Sequence, residues 1–165
     1  MLTVRDATIE DIPLIRRLTN IIWPATYSTI LSREQIEYML EMMYSSESLK
    51  KQMEELHHQF LLCYDDDEAV GFASYSPTGE GIYKLHKIYV LPNQQGKGIG
   101  KFIVAHIVDA IRPQGEVSPK ARAVALDLNV NRHNPAKTFY EKLGFTVIRD
   151  EDIDIGGSYW MNDFV

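Results

Sequence analysis

The hydrophobic patterning predicts a single α/β domain, on three observations. Short runs at residues 2–7, 60–64 and 69–75 carry the strand-like pattern of half-buried sheet. Longer stretches with the helical period lie before, between and after them. The 165 residues suffice for one core of ordinary size, and no internal repeat, linker or low-complexity segment divides them.

Taken in order, residues 2–7 read as an opening strand and residues 8–11 as a helix start. The helix that follows has its apolar face at Ile12, Ile15, Leu18, Thr19 and Ile22. Pro24 is expected to end it, because proline has no N–H for the helical ladder. Ser32, Arg33, Glu34 and Gln35 have the form of a capping box and open a second helix to about Met43, and residues 46–57 read as a third. Between the first two helices a loop would carry Trp23, Pro24, Ala25, Thr26 and Tyr27, an aromatic-rich connection able to wall a substrate pocket.

Residues 60–64 and 69–75 are short strands joined by the acidic turn Asp65, Asp66, Asp67, Glu68. A longer strand at 81–91 follows a break at Pro77, Thr78 and Gly79. Residues 98–111 read as a helix. After a loop holding Pro113, Gly115 and Pro119, residues 121–129 read as a strand. A helix at 135–143 has Pro135 at a tolerated first position and Gly144 at its stop. Strands at 145–151 and 154–164 close the chain around Gly156 and Gly157.

Composition narrows the function. A net charge of −6 without a stripe of Lys and Arg argues against nucleic acid as a partner, and suits a cationic substrate instead. No run is long enough to cross a bilayer, so a membrane partner is not expected. The alternating N-terminus lacks the order of a secretion signal, which points to the cytoplasm. The one cysteine, Cys63, sits in an apolar run and reads as a core residue. His57 and His58 are adjacent rather than spaced for zinc, and no metal is expected.

The most informative stretch is Gln95, Gly96, Lys97, Gly98, Ile99, Gly100, set between an apolar strand and an apolar helix. Glycines there let successive N–H groups converge on phosphate oxygens, at the positive end of the following helix. A tight turn would use glycines too, so spacing must discriminate. The dinucleotide fingerprint fails because the glycines stand at 96, 98 and 100, and the P-loop fails because Phe102 follows Lys101. What remains is Gln-x-x-Gly-x-Gly, preceded by Ile88, Tyr89, Val90, Leu91, Pro92 and followed by the segment Asn134 to Phe145. This pair of motifs resembles the GCN5-related N-acetyltransferases, the GNAT family, across roughly the C-terminal half of the chain.

The resemblance implies a mixed, mostly antiparallel twisted sheet flanked by helices and splayed between strands 4 and 5, with acetyl-CoA as co-substrate. The backbone of Gln95, Gly96, Lys97, Gly98, Ile99 and Gly100 would hold the pyrophosphate, with charge from Lys97 and Lys101. Ile88, Tyr89 and Val90 would offer main-chain groups to the pantetheine amides, and an N–H near Val90 would polarise the thioester. Tyr140 would protonate the departing thiolate. A phenol near pKa 10 and a thiol near 8.5 are roughly matched. Family members often carry Asn seven residues before this tyrosine. Here that position is His133, with Asn131 and Asn134 as the neighbours able to substitute.

The acceptor amine must also lose a proton. With a pKa of about 10.4, only about one part in a few thousand is neutral at pH 7. Where many relatives place Glu on the fourth strand this chain has His86, a candidate base at its ordinary pKa. The acceptor would lie among Trp23, Tyr27 and the closing strands, with Glu34 or Asp163 holding a distal ammonium. In layout the chain is loosely similar to the spermidine/spermine branch of the family. The leading reading is acetyl transfer to a primary amine of a small molecule, with polyamines as one candidate. A peptide N-terminus and an acyl-CoA sensor without turnover are the alternatives, and a homodimer is left open.

Overall fold

A computed structural model describes residues 1–113 and 124–165. The strands β1 (Leu2–Asp6), β2 (Gln59–Asp65), β3 (Glu68–Gly79), β4 (Ile82–Val90) and β5 (Ala125–Leu128) form one sheet in that order. All neighbours are antiparallel except β4 and β5, which are parallel. The strands β6 (Val130–Asn131), β7 (Asp150–Gly156) and β8 (Tyr159–Phe164) make a second sheet with β8 in the centre. Of the strand expected at 121–129 the described residues show Ala125–Leu128, and residues 114–123, with Gly115 and Pro119, lie outside the described residues.

Helices cover both faces of the larger sheet. On one face α1 (Ile12–Tyr27), α2 (Arg33–Tyr44) and α3 (Ser46–Glu54) bury Ile15, Ile22, Leu49, Phe60, Leu62 and Phe72. On the other, α4 (Ile99–Ile111) buries Ile103 and Ile107 against Leu61, Val70 and Leu85, with α5 (Ala136–Lys142) beside it. Cys63 lies in this second core, where burial pushes its thiol up to about 11. Every residue of the apolar face expected on α1 is buried. Ser32 caps α2 by accepting from the Gln35 N–H at 3.1 Å, while the Gln35 side chain reaches the Trp160 carbonyl instead of closing a capping box.

Four sequence expectations are corrected. Pro24 does not end α1, which runs on to Tyr27, so the aromatic segment is a helical turn rather than a loop. An interior proline costs about 3 kcal/mol, but Trp23 and Tyr27 are 2% and 9% exposed, and burying two such side chains returns more than that. The break at Pro77, Thr78 and Gly79 is absorbed as an irregularity of register between β3 and β4. The third helix stops at Glu54, short of the expected 57, and His57 takes a left-handed φ of 55°. The final hairpin turns at Gly156, Gly157 and Ser158, all at positive φ, so Asp154 lies inside β7 rather than opening the last strand.

The feature that positions the site is the parting of β4 from β5. Their register covers only Ile82 to Leu85 against Ala125 to Leu128. Beyond it the chain swings away as β6 to pair with β8. A bulge inserts His86, since Tyr75 faces Leu85 while Ser74 faces Lys87. Gly71 permits the close β3–β4 approach, because a Cβ there would stand 2.6 Å from the Tyr89 carbonyl oxygen.

Candidate active site

A cleft of about 1150 Å³ occupies the gap between β4 and β6. Leu91 donates its N–H to the Val70 carbonyl at 2.9 Å, toward β3. By strand alternation the main-chain groups of Ile88 and Val90 face the gap, beyond the reach of β5. The Gln95 side chain donates to the Val90 carbonyl at 3.2 Å and so ties the glycine-rich loop to this edge.

That loop delivers α4 end-on to the cleft. Gly98 is its N-cap at φ 80° and Gly96 has φ 79°, both left-handed, and an added Cβ at either would meet nothing within 4 Å. The first-turn N–H groups of α4 have no intrahelical acceptor, which leaves donors and the positive end of the dipole aimed at a space a phosphate can fill. Lys101 lines the cleft, whereas Lys97 stands outside its lining and donates to Gln94 at 2.9 Å. Gly100 serves packing as well: a Cβ there would lie 2.8 Å from the Phe139 ring of α5.

Residues of α5 and its approach close this end. Tyr140 lines the cleft, and among the described residues its hydroxyl takes no hydrogen bond. Burial, and then the neighbouring Tyr27, push its phenol above the ordinary value, so the matched pKa expected from the sequence is corrected upward. Asn131 and Asn134 line the cleft and His133 is exposed outside it. Asn134 is buried, with its carbonyl oxygen accepting the Ala136 N–H at 2.9 Å.

The far side of the cleft is aromatic and charged. Trp23 and Tyr27 line it, and the hydroxyls of Tyr27 and Tyr89 meet at 2.9 Å. Asp163 also lines it, only 2% exposed, yet among the described residues its carboxylate accepts one hydrogen bond, from Asn129 at 3.4 Å, an amide it shares with Glu151 at 3.2 Å. Burial, the largest cause, and the Glu151 charge raise its pKa. Glu34 is exposed and outside the lining. His86 lines the floor, bonded to the Ser76 hydroxyl at 2.7 Å and stacked on His58. Burial first, then the neighbouring His58, Lys87 and Lys84, hold its pKa down at about 3.

The family model for the acetyltransferase (GNAT) domain matches residues 28–160. The chain belongs to the GNAT family. It is 28% identical to the spermidine N(1)-acetyltransferase of Thermoplasma acidophilum, over 92% of this chain and 90% of that protein. It is 33% identical to a peptidyl-lysine N-acetyltransferase of Salmonella typhimurium, over 69% and 73% of the two chains. Among solved structures, the PaiA N-acetyltransferase of T. acidophilum in complex with coenzyme A superposes with a TM-score of 0.75 at 27% identity, covering 99% of this chain and 98% of that one.

As a GNAT member the protein is an acetyl-CoA-dependent N-acyltransferase. The empty faces of Gly96 and Gly98, the unshared edge of β4 and the α4 N-terminus are an arrangement that fits a pyrophosphate followed by an amide-bearing arm. Motif residues line this end of the cleft. Sequence reasoning missed Asn129, Lys84 and Lys87 at the other end, all lining the cleft. Lys84 and Lys87 are three apart, which on a regular strand puts them on opposite faces. Only the bulge at His86 brings both to the cleft, and no sequence signal marks it.

Proposed function

We propose that the chain transfers acetyl from acetyl-CoA to the primary amine of a small molecule, by direct attack in a ternary complex. One observation carries this reading: a single cleft joins the anion-attracting N-terminus of α4 to the buried, weakly bonded carboxylate of Asp163. One end demands negative charge and the other positive charge.

Gly96, Gly98 and the first turn of α4 would hold the pyrophosphate, Ile88 and Val90 the pantetheine amides, and Asn131 or Asn134 the arm from the opposite lip. Acetyl-CoA supplies an acetyl group activated as a thioester. The acceptor nitrogen forms a bond to the acetyl carbon as the carbon–sulfur bond breaks. Tyr140 gives its proton to the leaving thiolate, and because both anions would form in the same dry space, burial raises the two pKa values together. Asp163 stabilises the positive charge that develops on the attacking nitrogen.

His86 is a poor base in this setting. Moving a proton from an ammonium of pKa about 10.4 to an imidazole near 3 is uphill by roughly 10 kcal/mol. The acceptor therefore enters as free amine, and its proton is lost to water.

A polyamine, the acceptor in the name of the Thermoplasma relative, is supported by Asp163 with Glu151 beside it. The test is thiol release from acetyl-CoA in the presence of amines, polyamines, amino acids and peptides. Turnover with small amines supports the proposal. Coenzyme A binding without turnover on any amine would establish an acyl-CoA sensor in its place, and turnover on peptides alone would move the acceptor to a protein terminus or lysine.

A further inference from the structure

Farther along β4 from the splay, the floor of the acceptor cleft has a charge arrangement that acetyl transfer does not use. Lys84, His86 and Lys87 all line it. Lys87 is 8% exposed, and its ammonium makes one hydrogen bond, to Gln52 Oε1 at 2.6 Å, while lying 5.3 and 5.5 Å from the ring centroids of Tyr44 and Phe60. Gln52 is fixed in that orientation, since its Nε2 donates to the Met43 carbonyl at 2.7 Å and to Ser48 at 3.0 Å.

Beyond that amide and the two rings, the polar groups beside Lys87 are hydroxyl and imidazole groups. Ser74, fully buried and directly across from Lys87 on β3, has no partner for its hydroxyl. The buried Nδ1 of His58 has none either, and the His58 ring stacks on His86 at 3.8 Å. A buried ammonium is normally paired, because an isolated charge out of water costs several kcal/mol. Among the described residues no carboxylate forms an ion pair with Lys87. The carboxylates of this region, Asp163 and Glu151, stand on β8 and β7 and share Asn129. Lys84 is close enough to lower the pKa of both carboxylates, whereas Lys87 is left without such a partner, so the cleft is cationic along β4 and anionic across from it.

We propose that the β4 floor, with Lys87 at its centre and Lys84 and His86 around it, seats a carboxylate carried by the acceptor. The acceptor is then an amino-acid-like zwitterion, with its amine toward Asp163 and the splay. A polycation would set positive charge against Lys84 and Lys87, whereas a zwitterion sets its carboxylate beside Lys87 and its amine beside Asp163. The inference rests on the proposed acetyl transfer to a small amine.

Pairs of acceptors that differ only in the carboxylate test it: lysine against cadaverine and ornithine against putrescine, with spermidine alongside. The expected result is a kcat/KM at least tenfold higher for the amino acid of each pair, and a collapse of that ratio toward one in Lys87→Met. Lys87→Gln serves if the methionine variant does not fold, and the wild-type ratios stand on their own. A diamine or spermidine preferred by the wild-type protein, or a ratio unchanged in a folded Lys87 variant, overturns the carboxylate seat and leaves acetyl transfer intact. Thiol release with none of these acceptors, nor with any other amine, overturns both.

Discussion

Gly98 offers the sharpest separation between folding and ligand binding. It caps α4 at φ 80° and ψ 8°, and a Cβ built on it meets no atom within 4 Å. Gly98→Ala therefore creates no clash, and its stability cost is the left-handed strain of an L-residue, roughly 1 to 2 kcal/mol. Gly98→Asn costs less, because asparagine tolerates that conformation. Both variants place a Cβ in the open space before the α4 N-terminus, where the pyrophosphate would approach. If that space is the phosphate seat, both should bind acetyl-CoA at least tenfold more weakly, or about 1.4 kcal/mol, with similar losses despite unequal strain. If strain alone weakened binding, the alanine variant would be the weaker and the asparagine variant near wild type. Thermal unfolding measures the strain and calorimetric titration with acetyl-CoA measures the seat. A folded Gly98→Asn protein that binds within twofold of wild type would refute the cradle.

Tyr140→Phe keeps the ring contacts with Phe139 and Phe145 and removes the proton donor, so kcat should fall by roughly 10² with acetyl-CoA affinity unchanged; a kcat within twofold would give the role to water. Asp163 has its pKa raised in the fold, so its ionised form costs stability at neutral pH, and Asp163→Asn should raise the melting temperature at pH 7 while lowering kcat/KM for the amine tenfold or more. A lower melting temperature with full activity would make Asp163 structural. If the acceptor reacts as free amine, kcat/KM should rise about tenfold per pH unit from pH 6 to 9, and a plateau beginning near pH 6.5 would restore His86 as the base. For Lys87, a pKa lowered by burial from 10.5 to about 8 means that between these values the unfolded chain binds a proton the folded one has released. Stability relative to Lys87→Met should then rise with pH across that window, by about 3 kcal/mol in all. Urea unfolding at pH 7.5 and 10.5 checks it, and a flat difference would mean that Lys87 is not desolvated.

Most of the fold was legible because local rules and tertiary packing agree. The face of α1, the Ser32 cap and the positive-φ glycine opening α4 each follow from short-range chemistry that packing leaves undisturbed. The failures came where packing overrode a local rule. Pro24 reads as a stop, yet two buried aromatics hold the helix together past it, and Pro77 reads as a break although β4 carries the register across. Turn residues at 156–158 were visible, but the alternation of Asp150, Asp152 and Asp154 with Glu151, Ile153 and Ile155 gave no reason to choose where the hairpin strands begin.

The site divides along the same line. The proposed coenzyme end is made of backbone groups whose placement depends on glycine and on a strand running into a helix, so its residue types sit together in the sequence and can be read as a motif. The proposed acceptor end is assembled from β4, β8 and α1, with Lys87 finding Gln52 of α3 across 35 positions and Asp163 bonded to Asn129 across 34. No spacing rule links such residues. Their significance lies in what each has among the described residues: an ammonium with no carboxylate partner, and a carboxylate whose side chain accepts one long hydrogen bond. Charge of both signs in one cleft is what the proposed zwitterionic acceptor would answer, and it can be seen only once the bulge at His86 has turned Lys84 and Lys87 to the same side.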